Sequence, residues 1–323
     1  MLNRTNLNFS IKNISECKTQ KDYKTIVLIT AKVILAILNI FFNGSIIYII
    51  LFRLKRKTYS NFLFLSGTLS DFMIGLMSVP FMTIFTTFGF WPLGEATCIF
   101  WVINDFSIGT VSIYSLLLMS IHRFRQLKWP LVVNENMTRD KYFILIGKWI
   151  LIYAFWGLSV VLITRQNFES RNCYFTYTFT YVLVADSVGY FLPVLSVFVM
   201  NTLVYWELRK KFIKKAEKLG TATKKSTIRV FTDISLQNQS QNITNSKSSD
   251  KKDEKSKFQA KQDRINKEKK AIMCIWSISI FLSVLFSVFC VTWPLKAFCN
   301  ECVSDLILEI GYWMSYIYSS FNP

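Results

Sequence analysis

Seven runs of about 20 mostly apolar residues divide this chain, and they restrict its fold more than any other feature. An α-helix rises about 1.5 Å per residue and a bilayer's hydrocarbon core is about 30 Å thick, so each run matches one membrane crossing. A helix in lipid also satisfies its own backbone hydrogen bonds. The predicted spans are Thr25–Phe52, Asn61–Phe88, Thr97–Met119, Tyr142–Ile163, Phe179–Tyr205, Ala271–Phe298 and Val303–Pro323.

The composition agrees with a membrane protein. Of the 323 residues, 52% are hydrophobic and 16% are aromatic, and the mean hydropathy is +0.32. Positive hydropathy of this kind is typical of chains that are buried in lipid and not of soluble domains. We therefore predict an all-α membrane protein that folds as a seven-transmembrane helix bundle.

Lysine and arginine are distributed unevenly between the two sides of the predicted membrane. Segments on the side of the N-terminus carry eight of them, and segments on the other side carry 28. Because basic loops stay in the cytosol, the N-terminus is predicted to be extracellular. Lys32 and Lys148 lie inside spans, and we expect both side chains to extend towards the membrane surface. The formal net charge of +18 mostly reflects this asymmetry, and nucleic-acid binding would leave the spans unexplained.

The chain divides into four parts. The long loop is rich in Lys, Ser, Asn and Gln, with 19 basic and 8 acidic residues, and we expect it to be largely disordered. Its basic ends suit anionic lipid or the acidic faces of signalling partners. The parts are the extracellular N-terminus (1–24), the first five spans with their loops (25–206), the third cytoplasmic loop (207–270) and the last two spans (271–323).

The polar N-terminal segment lacks the apolar core of a signal peptide. It contains three acceptor triplets for N-glycosylation, at Asn3, Asn8 and Asn13. Two further triplets fall in the predicted cytosolic loop, where we read them as chance matches. We predict a glycosylated extracellular N-terminus.

Five of the seven cysteines are predicted to lie on the outer side, and Cys17 is left over from the two possible pairs. Cys98 begins the third span and Cys173 lies in the outer loop after the fourth, where an oxidising exterior allows a disulfide between them. Cys299 and Cys302 lie in the last outer turn and are spaced to close a small ring, although such short rings are often strained. A metal site is the competing reading, and a chain with one histidine makes it the weaker one.

Asp105 and Arg123 lie near the two ends of the third span. Their separation of 18 residues places them about 27 Å apart on one face of a helix. A carboxylate inside a bundle is costly and usually marks a binding site or a proton path. The alternative is a structural Asp105 that neighbouring helices satisfy.

No catalytic pattern stands out in the sequence. His122 is the single histidine, and neither a glycine-rich phosphate loop nor a pair of carboxylates is apparent. The last span has no lysine for a retinal Schiff base, and the chain shows no internal repeat of the transporter kind. These observations favour a receptor over an enzyme, a light-driven pump or a transporter, and they imply no cofactor.

A set of residues spread over all seven spans resembles the rhodopsin-like (class A) G-protein-coupled receptors. The stretches "CIFWVIND" and "NTLVYWELRK", with Trp313 before "FNP", are most similar to the aminergic branch, namely the histamine receptors, the fourth subtype before the third. The resemblance implies a multi-pass plasma-membrane receptor that binds a biogenic amine, with histamine first, and signals through a heterotrimeric G protein of the inhibitory class. The landmark residues are Asn43, Asp71, Cys98, Arg123, Trp149, Pro193, Trp293, Pro294 and the final "SSFNP".

The resemblance also assigns a ligand site. Asp105 is expected to pair with the ligand's ammonium group, and Tyr316 is expected to hydrogen-bond the carboxylate. Aromatic rings around the acid would add cation–π attraction, although many membrane aromatics are plain packing residues. The rings assigned to this cage are those of Phe106, Trp293 and Trp313, with Trp101 and Tyr190 as further contributors.

The far end of the ligand is less well defined. In histamine receptors a glutamate lies on the fifth helix four residues before its proline, and this chain has Gly189 there. Asp186 is the acid found instead, nearly one turn closer to the outside. It is either a second ligand contact, for a longer or differently tilted cation, or a helix-end acid that faces water.

Two groups are implied for switching. The family's sodium pocket maps onto Asp71, Ser112, Ser319 and Asn322, whose hard oxygens suit a small cation, and a purely structural polar network is the alternative. The G-protein-coupling arginine maps onto Arg123.

The residue before Arg123 departs from the family. An acid there would hold the arginine inactive through a salt bridge, and His122 cannot do so. We therefore expect raised agonist-free signalling or an impaired switch.

Other departures leave the function open. Either one residue is missing between Trp293 and Pro294 or Trp293 lies one place further along, so two directions that differ by one helical step, or about 100°, are open for its ring. The chain ends at "FNP" without the family's eighth helix, which we interpret as an incomplete gene prediction or a degraded receptor. The alternatives are therefore a non-signalling, receptor-like membrane protein or a receptor for a different amine.

Overall fold

The fold is described from a computed structural model, in which the residues divide into two compact units. The first contains 1–119, 134–196 and 282–323, and the second contains 120–133 and 197–281. Side chains are described throughout, except at residues 4–24, 163–169, 174–175 and 321. The residues described are 4–55, 58–134, 136–169, 173–175, 178–211, 213–214, 277, 280–281, 284–299 and 301–321.

Five helices in the described part of the chain are long and apolar enough to cross a membrane. The predicted starts and ends agree with theirs to within a few residues at most ends, and the third and fifth helices extend further on the cytosolic side. We number the helices in chain order. The five are Thr25–Arg53, Tyr59–Phe88, Glu95–Lys128, Arg139–Leu162 and Phe179–Lys211.

The two remaining predicted spans are helical where they are described. The sixth helix is the shorter apolar Val284–Phe298, and the seventh is Asp305–Phe321. The first helix begins earlier than predicted, because its α-helical part runs Arg4–Tyr48 and includes the polar segment. Asn8 and Asn13 therefore lie in this helix, and Asn3 lies outside the described residues.

Local sequence signals fix several helix ends. The Thr58 side chain accepts a hydrogen bond from the backbone N–H of Asn61 and caps the second helix. That helix ends at Gly89, whose φ of 71° lies in the left-handed region that glycine adopts at little cost. Thr178 caps the fifth helix in the same way as Thr58, through the N–H of Tyr181.

Two helices contain a π-helical turn just before a proline. The turn Ile74–Ser78 precedes Pro80, and the turn Ser187–Phe191 precedes Pro193. In a π-helical turn each carbonyl accepts a hydrogen bond from the N–H five residues later. Because Pro193 has no N–H, the Val188 carbonyl receives no such bond. The Tyr114 hydroxyl supplies one from the third helix, 2.9 Å away. This bond joins the third and fifth helices next to the site described below.

A small hairpin covers the outer end of the third helix. Strands β1, Phe168–Glu169, and β2, Tyr174–Phe175, are antiparallel, and Phe168 is opposite Phe175. A disulfide joins Cys98 to Cys173, next to β2, with the two Cα atoms 5.8 Å apart. The hairpin is thereby fixed to the start of the helix that carries Asp105.

The second unit is smaller and contains the cytosolic end of the third helix. Lys128 lies over the rings of Phe124 and Trp129, with its ammonium 5.4 and 4.8 Å from the ring centres. Lys211 donates to the backbone carbonyl of Leu127. His122 is buried in this unit and Arg123 is half-buried.

Candidate ligand site and buried charges

The Asp105 carboxylate lies half-buried on the third helix. Its Oδ1 accepts a hydrogen bond of 2.8 Å from the Tyr316 hydroxyl on the seventh helix. The two residues are 211 positions apart in sequence, so this bond ties distant parts of the chain together. The Ser78 hydroxyl is a second hydrogen-bonding group beside this carboxylate, and a carboxylate has further lone pairs for another donor. The structure therefore contains the pair of residues that the resemblance led us to expect.

Aromatic rings surround the helix turn next to Asp105. Phe106 stacks on Trp156, with ring centres 4.8 Å apart, and on Trp293, with ring centres 5.3 Å apart. Phe289 also stacks on Trp293, with ring centres 5.3 Å apart, and contacts Tyr190 edge-on, with ring centres 5.4 Å apart. Trp293 therefore points into the bundle despite the missing residue before Pro294, which resolves the uncertainty in its direction.

The glycine on the fifth helix is explained by packing. A Cβ atom at Gly189 would lie 2.8 Å from the Trp156 ring, a distance that real Cβ atoms do not show. Trp156 is almost fully buried, and its indole N–H donates to the Thr110 hydroxyl at 2.9 Å. The position at which a histamine receptor has an acid therefore has no room for any side chain here.

Asp186 is a second carboxylate on the inner side of the fifth helix. It is only 4% exposed, so of the two alternatives the one in which it faces water at a helix end is wrong. The Cys290 thiol hydrogen-bonds the carboxylate, and Oδ1 has no hydrogen-bond partner among the described residues. Both Asp186 and Asp105 lie near the Tyr190 hydroxyl. An unsatisfied buried carboxylate oxygen is costly, which makes this group a candidate acceptor for a ligand donor.

Trp313 does not present a free face to the ligand region. The Lys32 ammonium lies 4.4 Å from its ring centre, and the indole N–H donates to Glu309 at 3.0 Å. Lys32 also forms a salt bridge of 3.3 Å with Glu309 and donates to the Thr86 hydroxyl at 2.7 Å. Lys32 therefore has a carboxylate and an indole as partners, and whether its side chain extends to the membrane surface stays a prediction. Sequence reasoning missed Glu309, although an acid four residues before Trp313 was a visible signal.

Lys148 departs from its prediction. Its side chain is buried, and the ammonium donates to the hydroxyls of Ser66, at 2.9 Å, and Ser115. The Trp149 indole N–H donates to the same Ser66 oxygen at 2.9 Å. No acid partners Lys148 among the residues that the structure describes. It therefore does not extend to the surface but joins the second, third and fourth helices.

A separate polar group surrounds Asp71. The Ser112 hydroxyl donates to Asp71 Oδ1 at 2.7 Å. The Asn43 side chain donates to the Ser319 carbonyl at 3.1 Å, and Ser319 is buried. Three of the four predicted sodium ligands are therefore in the bundle interior, and the fourth, Asn322, lies outside the described residues.

Among the described residues, the outer surface contains two disulfides and one exposed ion pair. Besides the bond to the hairpin, a disulfide closes the ring between Cys299 and Cys302. Lys296 forms a salt bridge of 2.8 Å with Asp305 and donates to the Val303 carbonyl. Trp101 stacks on Trp91 with ring centres 4.8 Å apart, in a cluster between the second and third helices. Within the described ranges, no group of histidine, cysteine or acidic residues is arranged to hold a metal ion.

The fold and these sites agree with a known family. Residues 42–323 match the family described as "7 transmembrane receptor (rhodopsin family)". The chain therefore belongs to the rhodopsin family of seven-transmembrane receptors. This makes it a seven-helix, multi-pass protein of the plasma membrane, in a family of signalling receptors and not of enzymes.

Several named receptors are similar to the chain. The muscarinic acetylcholine receptor M2 of Gallus gallus is 25% identical over 235 residues, which cover 68% of this chain and 48% of that receptor. The D(1) dopamine receptor of Carassius auratus is 25% identical over 293 residues, which cover 84% and 76%. The muscarinic acetylcholine receptor gar-3 of Caenorhabditis elegans is 28% identical over 178 residues, which cover 52% and 29%. The chain thus spans about half the length of the M2 receptor that it matches.

Proposed function

We propose that this chain is a receptor that binds a protonated small amine at Asp105 and signals through a heterotrimeric G protein. The observation that carries the proposal is the Asp105 carboxylate, held by Tyr316 beside a cluster of stacked rings. The similar proteins support the same class of ligand, since their names refer to acetylcholine and dopamine, which are both small amines or ammonium ions.

The chemistry of the site suits an ammonium group. A charge-assisted hydrogen bond to a carboxylate is stronger than a neutral one, and exclusion of water by the surrounding helices strengthens it further. The faces of aromatic rings add cation–π attraction, worth about 2 kcal/mol when the cation loses its water. Trp293 and Phe106 are the rings that we assign to this role, although each already stacks on two other rings. Trp313 is the weaker candidate, because Lys32 already lies over its ring.

Asp186 supports an amine with a second donor group. Its Oδ1 lacks a partner among the described side chains, and Asp186 lies one turn closer to the outside than Tyr190 on the fifth helix. Histamine, with an amine at one end and a ring N–H at the other, is the first ligand to test. Gly189 gives no acid at the usual position, so a different amine is the second candidate.

The intracellular end supports coupling to a G protein through Arg123. The inhibitory class of G protein follows only from the likeness to histamine receptors. Because His122 replaces the acid that would restrain Arg123, we expect signalling without agonist. Substitution of His122→Asp should lower that agonist-free signal. An unchanged signal from a receptor with equal surface expression would contradict this expectation.

A sodium ion is the allosteric ligand that the Asp71 group would hold. Asp71 and Ser112 supply a carboxylate and a hydroxyl, both hard oxygen donors, and Ser319 lies in the same interior region. An ion bound there would favour the inactive state if it binds that state more tightly. Replacement of sodium by a larger organic cation should then raise agonist affinity, and Asp71→Asn should remove the effect.

Binding of tritiated histamine to membranes of cells that express the chain tests the proposal. Removal of the charge in Asp105→Asn should cost about 3–5 kcal/mol, and therefore lower the affinity by roughly 100-fold or more. Asp305→Asn is the matched control, because Asp305 is an exposed outer acid whose partner is Lys296. Its affinity should equal that of the unchanged receptor.

The panel of ligands separates the competing functions. Binding of dopamine or acetylcholine, but not histamine, with the same dependence on Asp105 would identify a receptor for a different amine. A chain that reaches the cell surface, binds no amine and gives no signal would instead be a non-signalling membrane protein. Equal affinity of Asp105→Asn and the unchanged receptor would contradict the proposed site.

A further inference from the structure

A groove lies between the third, fourth and fifth helices, on the outside of the bundle. Its volume is about 630 Å³, within the range of roughly 300–1,000 Å³ that is typical of ligand pockets. We call it the mid-membrane groove, because it lies against the middle of the third helix. The residues used below to describe its lining are Tyr114, Phe143, Gly147, Lys148, Leu151 and Val188.

The walls of the mid-membrane groove are apolar and open to lipid. Phe143 and Leu151 on the fourth helix are 72% and 71% exposed, and the helix is one of those able to span a membrane. The hydroxyl of Tyr114 and the carbonyl of Val188 are bonded to each other, so they present little unsatisfied polarity. Gly147 gives the groove its depth, because a Cβ there would have no atom within 4 Å.

Lys148 is the one charged residue in this lining. An ammonium has three N–H donors, and the described residues provide two acceptors, the hydroxyls of Ser66 and Ser115. Neither hydroxyl neutralises the charge. An ionisable residue at this depth in a membrane is costly, and it usually marks a site that has a partner of opposite charge. No described acid supplies that partner.

We propose that the mid-membrane groove binds a long-chain fatty acid from the bilayer, with its carboxylate paired to Lys148 and its acyl chain along the apolar wall. The carboxylate provides a negative charge to balance Lys148, because no described acid does so. It also accepts a charge-assisted hydrogen bond from the third N–H of the ammonium. The hydrocarbon chain suits a wall made of leucine, isoleucine and phenylalanine side chains. A sterol would fill the groove but would bring no charge, and an amine would be repelled.

Photolabelling of the purified full-length chain in phosphatidylcholine nanodiscs tests this site. The probe is a palmitic acid analogue that carries a diazirine in its chain, and labelled peptides are identified by mass spectrometry. We expect label on peptides of the third and fourth helices that contain the groove residues. Unlabelled palmitate should compete with the probe, and methyl palmitate, which has the same chain without the charge, should not.

Variants on the fourth helix then distinguish the effect of the Lys148 charge from the effect of the groove volume. Lys148→Met removes the ammonium and should lower labelling roughly tenfold, as for the loss of a charge-assisted pair. Gly147→Leu fills the groove and should lower it to a similar extent. Gly157→Leu is the matched control, because Gly157 lies on the same helix, also with open space at its Cβ, and outside the groove lining. Its labelling should be unchanged.

Three results would overturn the proposal. Labelling that persists in both Lys148→Met and Gly147→Leu would show that the fatty acid does not bind in the groove. Competition by methyl palmitate as strong as that by palmitate would remove the role of the charge. Displacement of the probe by cholesterol at the same peptides would identify a sterol site instead. If Lys148→Met cannot be purified in a folded form, Gly147→Leu and the ester comparison still decide the question.

Discussion

The carboxylate of Asp105 and the ammonium of Lys148 are opposite charges within the same compact unit, and their surroundings differ. Asp105 is half-buried, with the hydroxyls of Tyr316 and Ser78 as described partners and aromatic rings beside it. Lys148 is buried, with two serine hydroxyls as partners. The acid therefore keeps room and lone pairs for a ligand on the inner side of the bundle. The lysine instead has its hydrogen bonds directed at neighbouring helices.

This difference shows what each charge contributes to the bundle. A half-buried carboxylate keeps lone pairs that a ligand can still use. A buried ammonium held by serines of two other helices connects these helices, so loss of the serines should lower stability. We therefore expect substitutions of those serines to change stability, separately from the lipid binding proposed above, and substitutions around Asp105 to change amine affinity.

The largest effect is expected from removing both partners of Lys148. In the double variant Ser66→Ala, Ser115→Ala the ammonium loses two hydrogen bonds to a charged group, worth about 1.5–3 kcal/mol each, so stability should fall by about 3–6 kcal/mol. The apparent melting temperature in detergent micelles measures this loss. Part of it comes from Trp149, whose indole N–H also loses its acceptor.

A rescue experiment shows whether the charge is the cause. Replacement of Lys148 by Met in the same double variant removes the buried charge, and exchange of a buried ion for an apolar side chain is often neutral. The triple variant should recover most of the lost melting temperature. Equal instability of the double and triple variants would show that the serines stabilise the protein independently of Lys148.

Much of the architecture could be predicted from the sequence, because lipid allows few solutions. The apolar runs predict helices of membrane-spanning length, and the family match confirms the seven-helix bundle. Tyr316 and Asp105 are found in contact, as the resemblance implied, because their positions on two packed helices are fixed by the bundle. The role of that contact in ligand binding stays a prediction.

Side-chain environments could not be predicted in the same way. A lysine inside an apolar run gave no sign of whether it extends to the surface or turns inward, because serines on other helices decide this. Gly189 similarly looked like a lost ligand acid. Its true neighbour is the ring of Trp156, 33 positions earlier in the chain, and only the three-dimensional packing shows that no side chain fits.

A smaller effect is expected at the acid itself. Tyr316→Phe removes the hydroxyl that donates to Asp105, and with it one hydrogen bond to a charged group. The carboxylate keeps its charge but loses its fixed orientation, so amine affinity should fall roughly tenfold, or about 1.4 kcal/mol. Saturation binding measures the change. Tyr312→Phe, one turn away on the same helix, is the comparison variant, and an equal loss in both would mean that the specific bond to Asp105 is unimportant.

The smallest effect is expected at Lys32, whose surroundings are intermediate between those of Asp105 and Lys148. Like Lys148 it is a lysine inside a span, but it has an acid partner, and the Glu309 side chain is 36% exposed. Partly exposed ion pairs contribute about 0–1 kcal/mol, so Lys32→Met should lower the melting temperature only slightly.

The same change uncovers the Trp313 ring, which then becomes available to a ligand cation. We expect amine affinity to rise, by roughly threefold for a gain of about 0.5–1 kcal/mol. A fall in affinity would instead show that Lys32 holds Trp313 in the position that the ligand needs. Lys32 would then contribute to ligand binding, as Asp105 does, and not mainly to stability.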